Sequence, residues 1–497
     1  MTRVTSVLRN TGYVALGETA KPVLSFVLIL LISRMLGRDG VGVYAIVLTF
    51  SGVFELVATA GLGPLIIRGV AADRSKLSTY VSGSIGVALL ATLVLVPAIL
   101  LVLRALHYPQ EVEHGIRLLT YTLVLAIVQQ HVLSACEGLQ VMALRTVISV
   151  MDIAGRLAIG VFMVVGGHGI FGVIQGMVIM RVITVALALW GLRTHAGLRL
   201  DARAMLRTAP GLIRLGAPFL LMTLASTGFW SANILMLSKL NPVEDVGVYN
   251  AAVRISEILK NIFYSYLIVL LPMMAQAFAT SLDDLRRECE TSLKYLLILA
   301  VPAATGVSVL AGPIIRMVYG HSFDAAVPVL QVLAWTVCVF CVVLVFARVL
   351  VASHHQVLDL YCNVAALAIN VGLGWVLIRA RGPVGAGVAT LVSLLAFGAL
   401  EYAMVTRRLF RPAFAAPLIR AGVAALAMAA VVHWLDSLPL ALRIGIGAVT
   451  YLLVLSAIGT FSRDETAFAR DLAARCVGRL PLAIRRAASA ILPAEVP

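Results

Sequence analysis

The stretch VGVYNAAVRISEILKNIFYS, residues 246–265, decides the fold. YLIVLLPMM follows it directly, so the two read as one long apolar helix. Asn250, Arg254, Glu257, Asn261 and Ser265 recur there at steps of three and four, close to one helical face. If this helix crosses a bilayer, its charges cannot face lipid, because a charge at the centre of a span costs about 2.5–3.5 kcal/mol on insertion scales. They must line a cavity or pair with other helices. The stretch also has an echo. Residues 41–55 read VGVYAIVLTFSGVFE, with the same opening, and ISRML and LSKL precede the two copies.

Composition agrees with a membrane reading. Of 497 residues, 61% are hydrophobic and 13% charged, and the mean hydropathy is +1.00. Unbroken apolar runs of about 20 residues exclude a β-barrel, whose strands alternate. The net charge of +15 comes from basic residues scattered between apolar runs, as in topology-setting loops, which argues against nucleic acid. Cys338 and Cys341 form a lone CxxC without a second pair or histidines, so no metal site is expected. The first apolar run lacks a cleavage site and is expected to stay as an uncleaved helix.

The expected fold is all-α and integral to the membrane, with about fourteen transmembrane helices. The spans fall near 11–36, 41–70, 78–103, 117–139, 144–166 and 170–192. After a basic link at 193–214 they resume near 217–240, 246–278, 291–309, 327–351, 358–378 and 384–405, and two more follow near 418–435 and 442–461. The VGVY echo has an offset of about six helices. GIFG at 169–172 and GPVG at 382–385 repeat at a similar distance. Six helices per unit give equivalent spans the same orientation, so the repeat is parallel. The chain then divides into a six-helix lobe at 1–205, a second at 206–411, two additional helices at 412–461 and a basic amphipathic tail at 462–497. Lys and Arg concentrate in the segments that lie inside when both termini are cytoplasmic. The tail repeats Phe468, Leu472, Cys476 and Leu480 with arginines between them, which suits the anionic inner leaflet. A weakly ordered topogenic tail is the other reading.

Residues 31–71, LISRMLGRDGVGVYAIVLTFSGVFELVATAGLGPLIIRGVA, resemble the opening of Wzx-type polysaccharide-biosynthesis flippases. These belong to the multidrug/oligosaccharidyl-lipid/polysaccharide (MOP) exporter superfamily, whose two-lobed fold is MATE-like. LSKLNPVEDVGVYNAA, PIIRMVYGHSFDAAVPVLQVLAW and GPVGAGVAT extend the likeness through the second half. The elements are loose and glycine-based, and their order and spacing carry the case. The resemblance implies a secondary transporter in the bacterial cytoplasmic (inner) membrane. It would move an undecaprenyl-pyrophosphate-linked oligosaccharide outward for surface polysaccharide synthesis, by alternating access. Membrane lipids and the polysaccharide polymerase machinery are the other implied partners. Two added C-terminal helices also occur in peptidoglycan-precursor flippases, where they help form a groove for the lipid tail.

A pyrophosphate head needs a hydrated, cationic cleft, because in hydrocarbon its polar groups would lose water without partners. Arginine suits phosphate oxygens through its forked donors. The candidates are the charges inside spans. Arg254 and Lys260 form the leading cationic pair, with Glu257, Asn250 and Asn261 on the same helix. Glu18 and Lys21 lie on the first helix, Glu55 on the second, Asp152 and Arg156 on the fifth and Arg181 on the sixth. Arg68 and Arg348 are placed near the inner mouth. Glu18–Lys21 and Asp152–Arg156 have a second reading as self-neutralising intrahelical pairs, and Arg68 and Arg348 as residues that snorkel at the interface. Asp359 and Glu401 read as structural or proton-linked. No Walker A, GxSxG or HExxH pattern is present, so neither a catalytic residue nor a cofactor is expected. Alternative functions are a cation-coupled multidrug exporter of the same superfamily and a peptidoglycan lipid-precursor flippase.

Overall fold

The computed structural model describes residues 3–460, and the regular structure among them is all helical. The expected tail at 462–497 and the side chain of Glu18 lie outside the described residues. The helices are α1 (Arg3–Ala58), α2 (Leu62–Ala72), α3 (Leu77–Leu106), α4 (Gln110–Tyr121), α5 (Leu123–Gly138), α6 (Met142–Val165) and α7 (Gly169–Ala196). Then come α8 (Ala202–Leu240), α9 (Val243–Thr280), α10 (Leu282–Val309), α11 (Ala311–Tyr319), α12 (Val327–Ala352), α13 (Gln356–Arg408), α14 (Ala415–Trp434) and α15 (Leu440–Ala457). Among the described residues, nine helices are long and apolar enough to cross a membrane, or eleven if the bent pairs α4–α5 and the two parts of α8 each count as one span. This is a multi-spanning membrane fold.

The internal repeat is written in glycine geometry. Gly169 (φ 56°) and Gly382 (φ 53°), which open the two copies of GxxG, both adopt the left-handed conformation. The last glycine of each copy lets two helix segments touch. A Cβ on Gly172 would come within 2.4 Å of Met163 Cβ, and one on Gly385 within 1.9 Å of the Leu377 carbonyl oxygen.

The VGVY glycines do something further, because the two copies pack against each other. A Cβ on Gly42 would meet the Val243 carbonyl oxygen at 2.1 Å, and one on Gly247 would meet the Arg38 carbonyl oxygen at 2.1 Å. The echo found in the sequence is therefore a contact between the two repeats. Polar bonds surround it. Arg38 pairs with Glu244 at 3.3 Å, and Arg34 donates to the carbonyl oxygens of Met317 and Val318 at 2.8 and 2.9 Å. Tyr108 and Ser238 share a hydrogen bond of 2.9 Å, and the Lys239 ammonium lies 3.1 Å from the centre of the Tyr108 ring. Arg316 donates to Asp324 at 2.9 Å.

The expected boundaries need three corrections. The span expected at 41–70 stops at Ala58, because Ala60 and Gly61 both take positive φ and turn the chain into the separate helix α2. The span expected at 117–139 starts earlier and is bent by 54° around Thr122, where α4 meets α5. The basic segment 193–214 is mostly helix. The Asp201 carboxylate accepts the Arg203 amide at 2.8 Å and caps α8, which then packs along α3 with Met205 and Thr208 against Gly86 and Gly83. One apolar core spans α1 to α7 and reaches α9 and α12; a second is built from α9, α10, α12, α14 and α15, and holds the buried Cys338 and Cys341.

A leucine at Gly247 cannot fit against the Arg38 backbone. With the native cysteines replaced, paired cysteines at positions 38 and 244 should cross-link readily. Adding Gly247→Leu should lower the yield several-fold, as measured on denaturing gels.

Candidate functional site

The polar face of α9 opens onto three adjoining hollows that share its residues. The largest, about 560 Å³, is lined by Glu257, Lys260 and Asn261, by Phe229 and Trp230 of α8, by Phe340 and Arg348 of α12 and by Asp359 of α13. The second, about 160 Å³, brings Asn250, Arg254, Glu257 and Lys260 against Thr49 of α1. The third, about 230 Å³, joins Lys21 and Ser25 of α1 to Arg254, Glu257 and Asn261. Lys21, Arg254, Glu257, Lys260, Asn250 and Asn261 each line at least one of these hollows. Arg348 lines the wall of the largest hollow.

Charges in this region are partly compensated. Arg254 donates to Glu257 at 2.9 Å, one turn along α9. Their side chains keep 33% and 45% of their surface accessible, which marks a hollow instead of a dry core. The Arg254 Nε is buried and meets no partner among the described residues. Lys260 is nearly enclosed, and its ammonium sits 4.3 Å from the centre of the Trp230 ring and 5.8 Å from that of Phe340. Aromatic faces hold a cation without neutralising it, at about 0.5–2 kcal/mol. Among the described lining residues of the two hollows beside Lys260, Arg254, Lys260 and Arg348 stand against Glu257 and Asp359, so positive charge is in surplus. Such a hollow suits a polyvalent anion whose oxygens can bridge several cations.

Four expected residues lie elsewhere. Asp152 and Arg156 pair at 2.6 Å on α6, and Arg181 pairs with Glu55 at 2.8 Å between α7 and α1. Arg181 also donates to the Thr122 hydroxyl at 3.3 Å. None of the four lines the three hollows. They neutralise one another inside the first repeat, since an unpaired charge there would be costly. Arg68 is exposed on α2, with its guanidinium 5.5 Å from the centre of the Phe219 ring.

Sequence reasoning missed two features. Trp230 and Phe340 hold Lys260; a tryptophan in mid-span, away from the interfaces that this residue favours, was the available signal. The other is a polar clasp. The Asn233 amide donates to Asn370 Oδ1 at 3.0 Å and to the Thr390 hydroxyl at 2.7 Å, and Tyr249 meets the same hydroxyl at 3.2 Å. It ties α8 and α9 to both segments of α13.

A second kind of cavity lies outside the polar face. About 390 Å³ in volume, it is bounded by Leu259 of α9, Leu299 and Pro302 of α10, Met428 of α14 and Ile444 and Tyr451 of α15. Its wall is almost wholly apolar.

The fold and the hollow are those of a multi-spanning membrane protein with a charged interior. A family model described as polysaccharide biosynthesis protein matches residues 7–278, more than half of the chain, and a MatE model matches residues 218–376. The chain belongs to the polysaccharide biosynthesis protein family. No curated protein sequence matches it. A solved structure of the lipid II flippase MurJ in an inward closed conformation aligns with TM-score 0.76 at 15% identity, covering 92% of this chain and 99% of that one. An inward-facing MATE multidrug-resistance transporter aligns with TM-score 0.65 at 15% identity, covering 79% and 98%. A MOP transporter from Pyrococcus furiosus, described by the reversed polarity of its binding pocket, aligns with TM-score 0.54 at 12% identity, covering 81% and 95%.

Glu257 competes with any anion for Arg254. Glu257→Gln should therefore tighten the binding of inorganic pyrophosphate several-fold, while Lys260→Met should weaken it about tenfold, or ~1.4 kcal/mol. Calorimetric titration of the purified protein checks both signs.

Proposed function

We propose that this protein is a secondary flippase that carries a polyprenyl-pyrophosphate-linked saccharide across the cytoplasmic membrane. The placement of Arg254, Lys260 and Arg348, with Lys21 nearby, on adjoining accessible hollows along α9 is the observation that carries the reading. Membership of the polysaccharide biosynthesis family supports it. The pyrophosphate would sit among these cations, and the sugars would take up the wet volume beside Asn261 and Asn363. The polyprenyl tail would stay in lipid or rest in the apolar cavity between α9, α10 and α15. Glu55, Arg181, Asp152 and Arg156 drop out of the binding set and become structural pairs.

The finer architecture belongs to this proposal. Fourteen crossings result if α1 divides at Gly37 and α13 at Gly382, the bent pairs count once each and α9 is added. The non-helical torsions at both glycines support those divisions. The lobes would then be 1–205 and 206–411, with 412–461 as two added helices and both termini cytoplasmic. On that orientation the VGVY contact closes the outer face. Transport would require the Gly42–Gly247 seam to part and the opposite end to close.

Two substrates share the headgroup. The family match favours an oligosaccharide unit for surface polysaccharide. The fold favours a peptidoglycan lipid precursor more strongly, because a likeness covering 92% of the chain must extend beyond residue 411 into the added helices, whereas 79% for the MATE transporter need not. The cationic surplus disfavours export of cationic drugs.

The test is reconstitution into liposomes with labelled polyprenyl-pyrophosphate carrying either a disaccharide-pentapeptide or a plain oligosaccharide. Leaflet exchange of at least one is expected, and the preferred head separates the two readings. The Arg254→Ala/Lys260→Ala double variant should lose exchange at least tenfold at normal protein level. Full exchange by that variant would refute the site, and no exchange of either lipid by the unaltered protein would refute the function.

A further inference from the structure

The break at Gly382 folds α13 back on itself, and this brings two acids together. Asp359 comes from the first segment and lines the largest hollow. Glu401 comes from the second and is completely buried, and neither of its carboxylate oxygens meets a donor among the described residues. The two carboxyls lie within side-chain hydrogen-bonding reach of each other. Two ionised carboxylates cannot bond, because both only accept. A buried carboxylate without a donor or a cation is costly, by several kcal/mol. A single proton resolves both problems: the protonated acid donates to its neighbour, and one negative charge is left on the pair.

The surroundings fit that charge state. Arg348 reaches toward Asp359 from α12, and its buried Nε meets no partner among the described residues. Cys362 is the other titratable group facing Glu401, from the first segment of α13. Glu257 and Lys260 of α9 face Asp359 across the hollow, while α8 contributes Ser226, Phe229 and Trp230, none of which titrates. The Asn363 Oδ1, one turn beyond Asp359, is buried and meets no donor among the described residues either, so this corner of the hollow is rich in acceptors.

We propose that Asp359 and Glu401 hold one exchangeable proton, and that this pair is the ion site of the transporter. The proton passes between the pair and water in the hollow through Asp359, the member that reaches the wall. Its departure leaves two carboxylates that Arg348 and Lys260 must balance. Proton occupancy and the charge offered to an anionic head are therefore linked. The use in coupling rests on the flippase reading; the proton site does not.

Infrared spectroscopy of the purified full-length protein in lipid bilayers at neutral pH tests the site. The unaltered protein should show a protonated-carboxyl band that shifts in heavy water. The band should vanish in Glu401→Gln and in Asp359→Asn, and persist in Glu111→Gln, which alters an exposed acid. Absence of the band in the unaltered protein would overturn the proposal, and so would its survival in both variants. Removal of the band by sodium at constant pH would also overturn it, by assigning the site to a metal cation. If one variant fails to fold, the other carries the same comparison. None of these outcomes depends on whether the protein flips a lipid.

Discussion

Hydrocarbon cannot solvate charge, and the rest of the structure follows from that constraint. A chain with 61% hydrophobic residues still places arginines, lysines and acids in the middle of its helices. Each must find a partner or water. The first repeat solves the problem by pairing: Asp152 with Arg156 and Glu55 with Arg181. The second repeat solves it by hollowing. Lys260 is held by aromatic faces, Arg254 keeps only part of itself for Glu257, and both look into accessible space. The asymmetry between the repeats is what turns a symmetric scaffold into a site.

The scaffold depends on small residues where backbones meet. Gly42 and Gly247 let the two repeats approach to backbone contact, and the surrounding pairs Arg38–Glu244 and Tyr108–Ser238 add polar bonds around them. The Arg38–Glu244 pair is exposed and contributes little by itself, whereas the Tyr108–Ser238 bond is buried. The clasp of Asn233, Asn370 and Thr390 is buried and ties α8 to both segments of α13.

Much of this was legible in the sequence, for physical reasons. The α9 face stood out because charge at helical spacing within an apolar run has few explanations. The repeats stood out because backbone contact leaves no substitute for glycine. Other features leave no such trace. The turn at Ala60–Gly61 and the bend at Thr122 depend on how neighbouring helices pack, and apolar runs hide them. The basic segment 193–214 reads as a link because of its charge, yet Asp201 is an ordinary helix cap that could have been recognised. Glu55 and Arg181 lie far apart in sequence, and only packing reveals that they cancel. Trp230 and Phe340, which give Lys260 its setting, are invisible to any search for charge.

The central claim is that one face of α9 borders water inside the membrane. Cysteines introduced singly in a background without native cysteines test it most directly, with a membrane-impermeant thiol reagent. Positions 254, 257 and 261 should react, and a polyprenyl-pyrophosphate lipid should protect them, while positions 252 and 255 stay unreactive. Equal reaction all round the helix, or none on the charged face, would contradict the account.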